Sequence, residues 1–134
     1  MTRILLAEDD AGLREVLVAV LEDEGFVAQA VKDGHEVLAV LPSFAPDLLI
    51  TDIEMPGMSG WELVGRVHEQ LPTLPVVIIS AGYLSHASGH VDLALSMRLL
   101  PKPFGVDDLL TCIHQLMAPS RSAAESPVPP DVTT

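Results

Sequence analysis

Five runs of four to six mainly apolar residues recur along this 134-residue chain, and the stretches between them carry apolar residues at helical spacing. The runs are RILLAE at 3–8, FVAQAV at 26–31, DLLIT at 47–51, VVIIS at 76–80 and MRLL at 97–100. Runs that are apolar at nearly every position belong to strands buried on both faces. A parallel sheet with helices on either side provides that burial. The intervening segments fit the covering role. AGLREVLVAVLEDEG at 11–25 puts Leu13, Val16, Leu17, Val20 and Leu21 at helical spacing and stops at Gly25. Further helices are predicted at 34–41, ended by Pro42, and at 60–71. A fourth is predicted within 86–96, weakened by Gly89, and a fifth at 105–118, where Asp107 and Asp108 favour the first turn. The expected fold is α/β, a doubly wound five-stranded parallel sheet with five helices.

One core is what a chain of this length can fill, and a composition 49% hydrophobic excludes disorder of the whole. From Pro119 onward the residues become PSRSAAESPVPPDVTT, poor in large apolar side chains. We therefore expect a domain at 1–118 and a disordered Pro/Ser-rich tail or truncated linker at 119–134. No apolar run reaches the roughly 18–20 residues of a membrane helix, and MTRILLA is too short for a signal peptide. A cytoplasmic protein with no membrane partner is the expectation. The net charge of −12 repels phosphate backbones, which argues against nucleic acid as a partner of this chain and suits a cation or a basic partner. Cys112, the single cysteine, rules out an internal disulfide framework and reads as a small core residue.

In an open α/β sheet the chemistry gathers outside the carboxyl ends of the strands. Here the first strand ends on Glu8, Asp9 and Asp10, the third on Asp52 and the fourth on Ser80, while Lys102 follows the fifth between two prolines. Like charges at about 4 Å repel by roughly 4 kcal/mol at an effective dielectric near 20. A divalent cation relieves that repulsion, and all-oxygen ligands suit Mg²⁺ better than zinc. One acid, Asp9 or Asp10, is also placed to cap the first helix. Pro101 and Pro103 restrict where Lys102 points, and its ammonium can meet a phosphoryl group as a point charge. Asp52 then becomes a candidate carboxylate nucleophile, with the sparse MPGMSG turn leaving room for a phosphodonor.

Four motifs in order, ILLAEDD, PDLLITDIEMPGMSG, LPVVIISA and KPF, resemble those of the response regulator receiver domains of two-component signalling, chemotaxis regulators among them. The likeness covers about residues 3–117. It implies the flavodoxin-like strand order 2-1-3-4-5. It further implies Asp52 as phosphoacceptor, with Mg²⁺ held by Glu8, Asp9, Asp52 and the main-chain carbonyl of Glu54. By the same resemblance Ser80, Ala81 and Lys102 bind the phosphoryl group, and Pro103 follows a cis bond. The implied partners are a sensor histidine kinase or histidine phosphotransfer protein, with an effector or a second copy on the face of the fourth and fifth helices. Such a domain signals rather than acting as an enzyme.

Two features depart from the family pattern. Leu99 stands where relatives carry an aromatic switch residue, and Gly82 and Gly89 weaken the fourth helix. Leu99 leaves open an alternative, a receiver-fold interaction scaffold with little or no phosphorylation switching. An aspartyl phosphohydrolase reading uses the spacing of Asp52 and Glu54, but on the wrong strand and with no cap domain. His86 and His90 have zinc-like spacing without a third ligand, while His35, His68 and His114 have no convergent partners. Trp61 reads as packing at a helix start, and Ser85 as a cap.

Overall fold

The computed structural model describes residues 2–80 and 97–117. Its strands are β1 (Arg3–Ala7), β2 (Val27–Val31), β3 (Leu48–Asp52), β4 (Val76–Ser80) and β5 (Met97–Pro101). The helices are α1 (Ala11–Asp23), α2 (Gly34–Phe44), α3 (Gly60–Gln70) and α4 (Val106–Met117). All strands run parallel in the order β2-β1-β3-β4-β5, as expected. The fourth predicted helix, with His86, His90 and Ser85, lies outside the described residues, so α4 is the fifth helix of the sequence-based expectation.

Strand periodicity of two divides the core into two layers. Leu5, Leu49, Val76 and Ile78 face α2 and α3, where Val37, Leu41, Leu63 and Val67 cover them. Ile4, Leu6, Leu48, Ile50, Val77 and Ile79 point the other way, onto Leu17 and Leu21 of α1 and Leu109 and Ile113 of α4. Every residue of β3 and β4 is buried, which is why those runs showed no alternation. No helix of the described residues is long and apolar enough to cross a membrane.

Local chemistry sets the helix ends. Asp10 caps α1 through its carboxylate to the Leu13 amide, Asp33 caps α2 through Glu36, and Ser59 caps α3 through Glu62. Two expectations need correction. Pro42 does not end α2: the helix continues to Phe44 and closes at left-handed Ala45, whose amide donates to the Leu41 carbonyl at 3.0 Å. The hydrogen bond lost at the proline is offset by burying Phe44. Val16, expected on the buried stripe of α1, is 56% exposed; Leu17 and Leu21 carry that contact. Cys112 is half-buried against the α1–α4 layer, and burial pushes its thiol pKa up, as an unreactive packing residue requires.

Candidate functional site

The register of β1 on β3 pairs Ala7 with Thr51, so the next step sets Glu8 beside Asp52. Both residues have the parity of the layer that faces α1 and α4. Neighbouring strands lie about 4.8 Å apart, which fixes how closely two strand-tip carboxylates must approach. Carboxylate oxygens of Glu8, Asp9 and Asp52 indeed all fall within 4.8 Å of one another. Glu8 is 1% exposed and Asp52 6%, while Asp9 faces solvent.

The cationic arm comes from the other half of the sheet. The Lys102 amide donates to the Ser80 carbonyl at 2.7 Å, extending the β4–β5 ladder by one bond, and the following bond to Pro103 is cis as expected. From there Lys102 Nζ reaches Asp52 Oδ2 at 3.1 Å and lies 3.7 Å from Glu8 Oε1. The first distance is a hydrogen-bonded ion pair; the second is too long for a hydrogen bond and acts through charge alone. Burial works against the ammonium, yet its bond to Asp52 and the charges of Asp52, Glu8 and Asp9 lift its pKa above the ordinary lysine value.

Glu8 is the strained member. Burial, helped by the nearby Asp52 charge, pushes its carboxyl up to about 7, against the bond from the Asp10 amide and the pull of Lys102. Glu8 Oε2 accepts from the Asp10 amide at 3.1 Å, whereas Oε1 is buried and has no hydrogen-bond donor among the described residues. A buried, hard, unsatisfied oxygen beside two further carboxylates is the donor chemistry that Mg²⁺ takes. The residues present fit the ion.

A sign follows for stability. With chelator present, folded Glu8 holds its proton up to about pH 7 while the unfolded residue releases it near 4.5. Its contribution is therefore full below about pH 4.5 and is lost as the pH rises through about 7. At pH 8 Glu8→Gln is expected to be more stable than the natural chain by about 2 kcal/mol, with little gain at pH 4.5. Urea denaturation at the two pH values measures this, and an equal effect at both would contradict it.

The acceptor loop is set by packing. Gly60, the first residue of α3, lies against the backbone of Asp52 and Ile53, and its amide donates to the Ile53 carbonyl at 2.6 Å. Met58 is buried against Gly34 of α2. Asp9, Ile53, Glu54, Met55, Pro56 and Ser59 line a cleft beside the acid cluster, and the Glu54 side chain is exposed.

Thus Glu8, Asp9, Asp52 and Lys102 come together, with Ser80 buried at the neighbouring strand tip. Asp10 is not among the clustered carboxylates; its side chain caps α1. Ala81 lies outside the described residues. Leu99 is half-buried against the α2–α3 layer. His68 meets the Leu74 carbonyl at 3.0 Å, and His114 packs edge-on to Phe26. Trp61 packs on the core at the start of α3, as expected. Gly60 and Arg14, whose guanidinium contacts the Glu8 carbonyl, escaped the sequence reading. A glycine directly after an N-cap serine was the available signal for the first; nothing local marked the second.

Fold and site together define an open α/β domain whose sheet rim carries an acidic, cation-type cluster bridged by a lysine. The response regulator receiver domain family profile matches residues 4–114, and the chain belongs to that family. Its relatives include the DNA-binding transcriptional regulator NtrC of Proteus hauseri, 36% identical over 84% of this chain and 24% of that protein. Response regulator MprA of Mycolicibacterium vanbaalenii is 31% identical over 92% of this chain and 55% of that protein. Among solved structures, response regulator TrrA of Thermotoga maritima, in complex with Mg²⁺-BeF, is 31% identical with a TM-score of 0.77, covering 87% of this chain and 99% of that one. Chemotaxis protein CheY4 of Vibrio cholerae is 26% identical with a TM-score of 0.79 over 87% of this chain and 98% of that one. The chain spans about a quarter of the length of the first curated relatives it matches.

Proposed function

We propose that the domain, residues 1–118, is a phosphorylation switch of two-component signalling, with Asp52 as the acceptor of a phosphoryl group from a phosphohistidine on a partner kinase or phosphotransfer protein. The observation that carries this is the 3.1 Å bond between Lys102 Nζ and Asp52 Oδ2 inside a cluster of three carboxylates. The donor's P–N bond breaks with its electron pair passing to the imidazole nitrogen, and a P–O bond forms to an Asp52 oxygen. The product is an acyl phosphate, the kind of intermediate that carboxylate nucleophiles give.

Glu8, Asp9, Asp52 and the Glu54 carbonyl hold Mg²⁺ in this reading. When bound, the ion would offset part of the negative charge of the carboxylates and of the phosphoryl oxygens, with the Lys102 ammonium adding to it. Lys102 moves its bond from the carboxylate to a phosphoryl oxygen, and Ser80 with the Ala81 amide takes another. Family membership and the Mg²⁺-BeF complex of the Thermotoga relative support these assignments. Leu99 offers no ring to swing, so the shift in population runs through the Ser80–Lys102 contacts instead. We place the switch in the cytoplasm, with residues 119–134 as linker or tail and an effector or second copy as the downstream partner. It is a signalling domain rather than a turnover enzyme.

The test is intact mass after acetyl phosphate and Mg²⁺. The natural chain is expected to gain one phosphoryl group, and Asp52→Asn none. Equal labelling of both, or labelling unaffected by chelator, would overturn the reading.

A further inference from the structure

We infer that Arg14 is a positioning residue for the cation site, fixing the turn after β1 so that the Glu8 and Asp9 carboxylates face Asp52. This rests on the cation reading above. Arg14 lies in the second half of the first turn of α1, and its Nη1 reaches back to donate to the Glu8 main-chain carbonyl at 2.8 Å. Glu8 is buried, so this carbonyl has little access to water. Among the described residues Arg14 makes no ion pair with an acid; its charge is directed at a carbonyl.

The turn is short and every anchor on it counts. Its entry is held by the Glu8 amide on the Val31 carbonyl at 3.0 Å. Its exit is held by the Asp10 cap, with Leu13 and Arg14 amides on Asp10 at 3.1 and 2.9 Å. Between them the Asp10 amide holds Glu8 Oε2 at 3.1 Å, and the carbonyl of the peptide leaving Glu8 has the Arg14 guanidinium as its anchor. That peptide carries Asp9, the exposed member of the metal cluster. Freed from Arg14, it rotates toward water and takes Asp9 with it.

Charge alone predicts the opposite of positioning. A guanidinium near a dication site repels the ion, so removing it by Coulomb's law tightens Mg²⁺ binding. Removing an anchor of the ligand turn loosens it, and outer contacts of this kind are worth about 10- to 100-fold in metal affinity. The sign of the change therefore separates the two roles.

The experiment titrates Mg²⁺ alone into the full chain by calorimetry at fixed ionic strength, for the natural protein, Arg14→Met and Arg14→Lys. Metal-free amide NMR spectra accompany each titration. We expect Arg14→Met to raise the Kd by about 10-fold or more, Arg14→Lys to restore part of it, and the Asp9 and Asp10 amides to shift before any metal is added. An unchanged or lower Kd in Arg14→Met overturns the inference and leaves the cation reading standing. Failure of the natural chain to bind Mg²⁺ overturns both. Should Arg14→Met not fold, Arg14→Gln replaces it, too short to reach the carbonyl, and is judged by the same sign.

Discussion

Gly60→Ala is expected to lower the unfolding free energy by about 3 kcal/mol, whereas Gly65→Ala in the same helix raises it by about 0.5–1 kcal/mol. The substitution is identical and the surroundings decide the sign. A methyl group at Gly60 overlaps the Asp52 carbonyl and comes within 2.8 Å of the Ile53 Cα, and backbone atoms cannot rotate out of the way. At Gly65 the same methyl meets nothing within 4 Å and removes the helix-interior penalty of glycine. Thermal melts should move by about 10 °C downward for Gly60→Ala and a few degrees upward for Gly65→Ala. Because α3 is pressed against the acceptor peptide, Gly60→Ala should also displace the Asp52 and Ile53 amide resonances. A Gly60→Ala chain as stable as the natural one would mean that α3 is not seated on the acceptor strand as described.

Lys102→Met is expected to slow phosphoryl uptake from acetyl phosphate about 100-fold, the usual consequence of removing one group that stabilises developing charge. Its effect on stability is pH-dependent in a direction the site dictates. The lysine's raised pKa means that its contribution is full below the ordinary lysine value of 10.5 and is lost only above it, so at pH 5 and pH 8 it is intact. Glu8, by contrast, is protonated at pH 5 and ionised at pH 8. Losing Lys102 therefore strands a charged Glu8 at pH 8 but a protonated one at pH 5, in addition to removing the partner of Asp52 at 3.1 Å. With its side chain 24% exposed, solvent screens the pair and the loss at pH 8 is about 1–2 kcal/mol, smaller at pH 5. Adding Asp52→Asn should remove most of that loss, which a double-mutant cycle measures as coupling. A loss identical at both pH values would show that Glu8 takes no part in the pairing.

Legibility of the sequence varied with the range of the forces involved. Strands were visible because β3 and β4 are buried at every position, and a run such as VVIIS has no other use. The site acids were visible because strand ends in such a sheet are where polar residues have a reason to be. Pro42 reads locally as the end of α2, but the burial of Phe44 outweighs the proline's penalty and the helix runs on. Val16 is exposed because helical spacing defines a stripe and not its width; that width depends on how α1 sits against the sheet.

By itself the sequence determined the sheet, its two covering layers and the identity of the groups at its rim, since burial and strand periodicity act residue by residue. Tertiary structure alone decided how those groups meet. A register that brings Glu8 level with Asp52, a glycine that lets α3 press on the acceptor peptide and an arginine reaching back over six residues are all contacts between separate elements. Distances across such contacts follow from packing, which no single stretch of chain encodes.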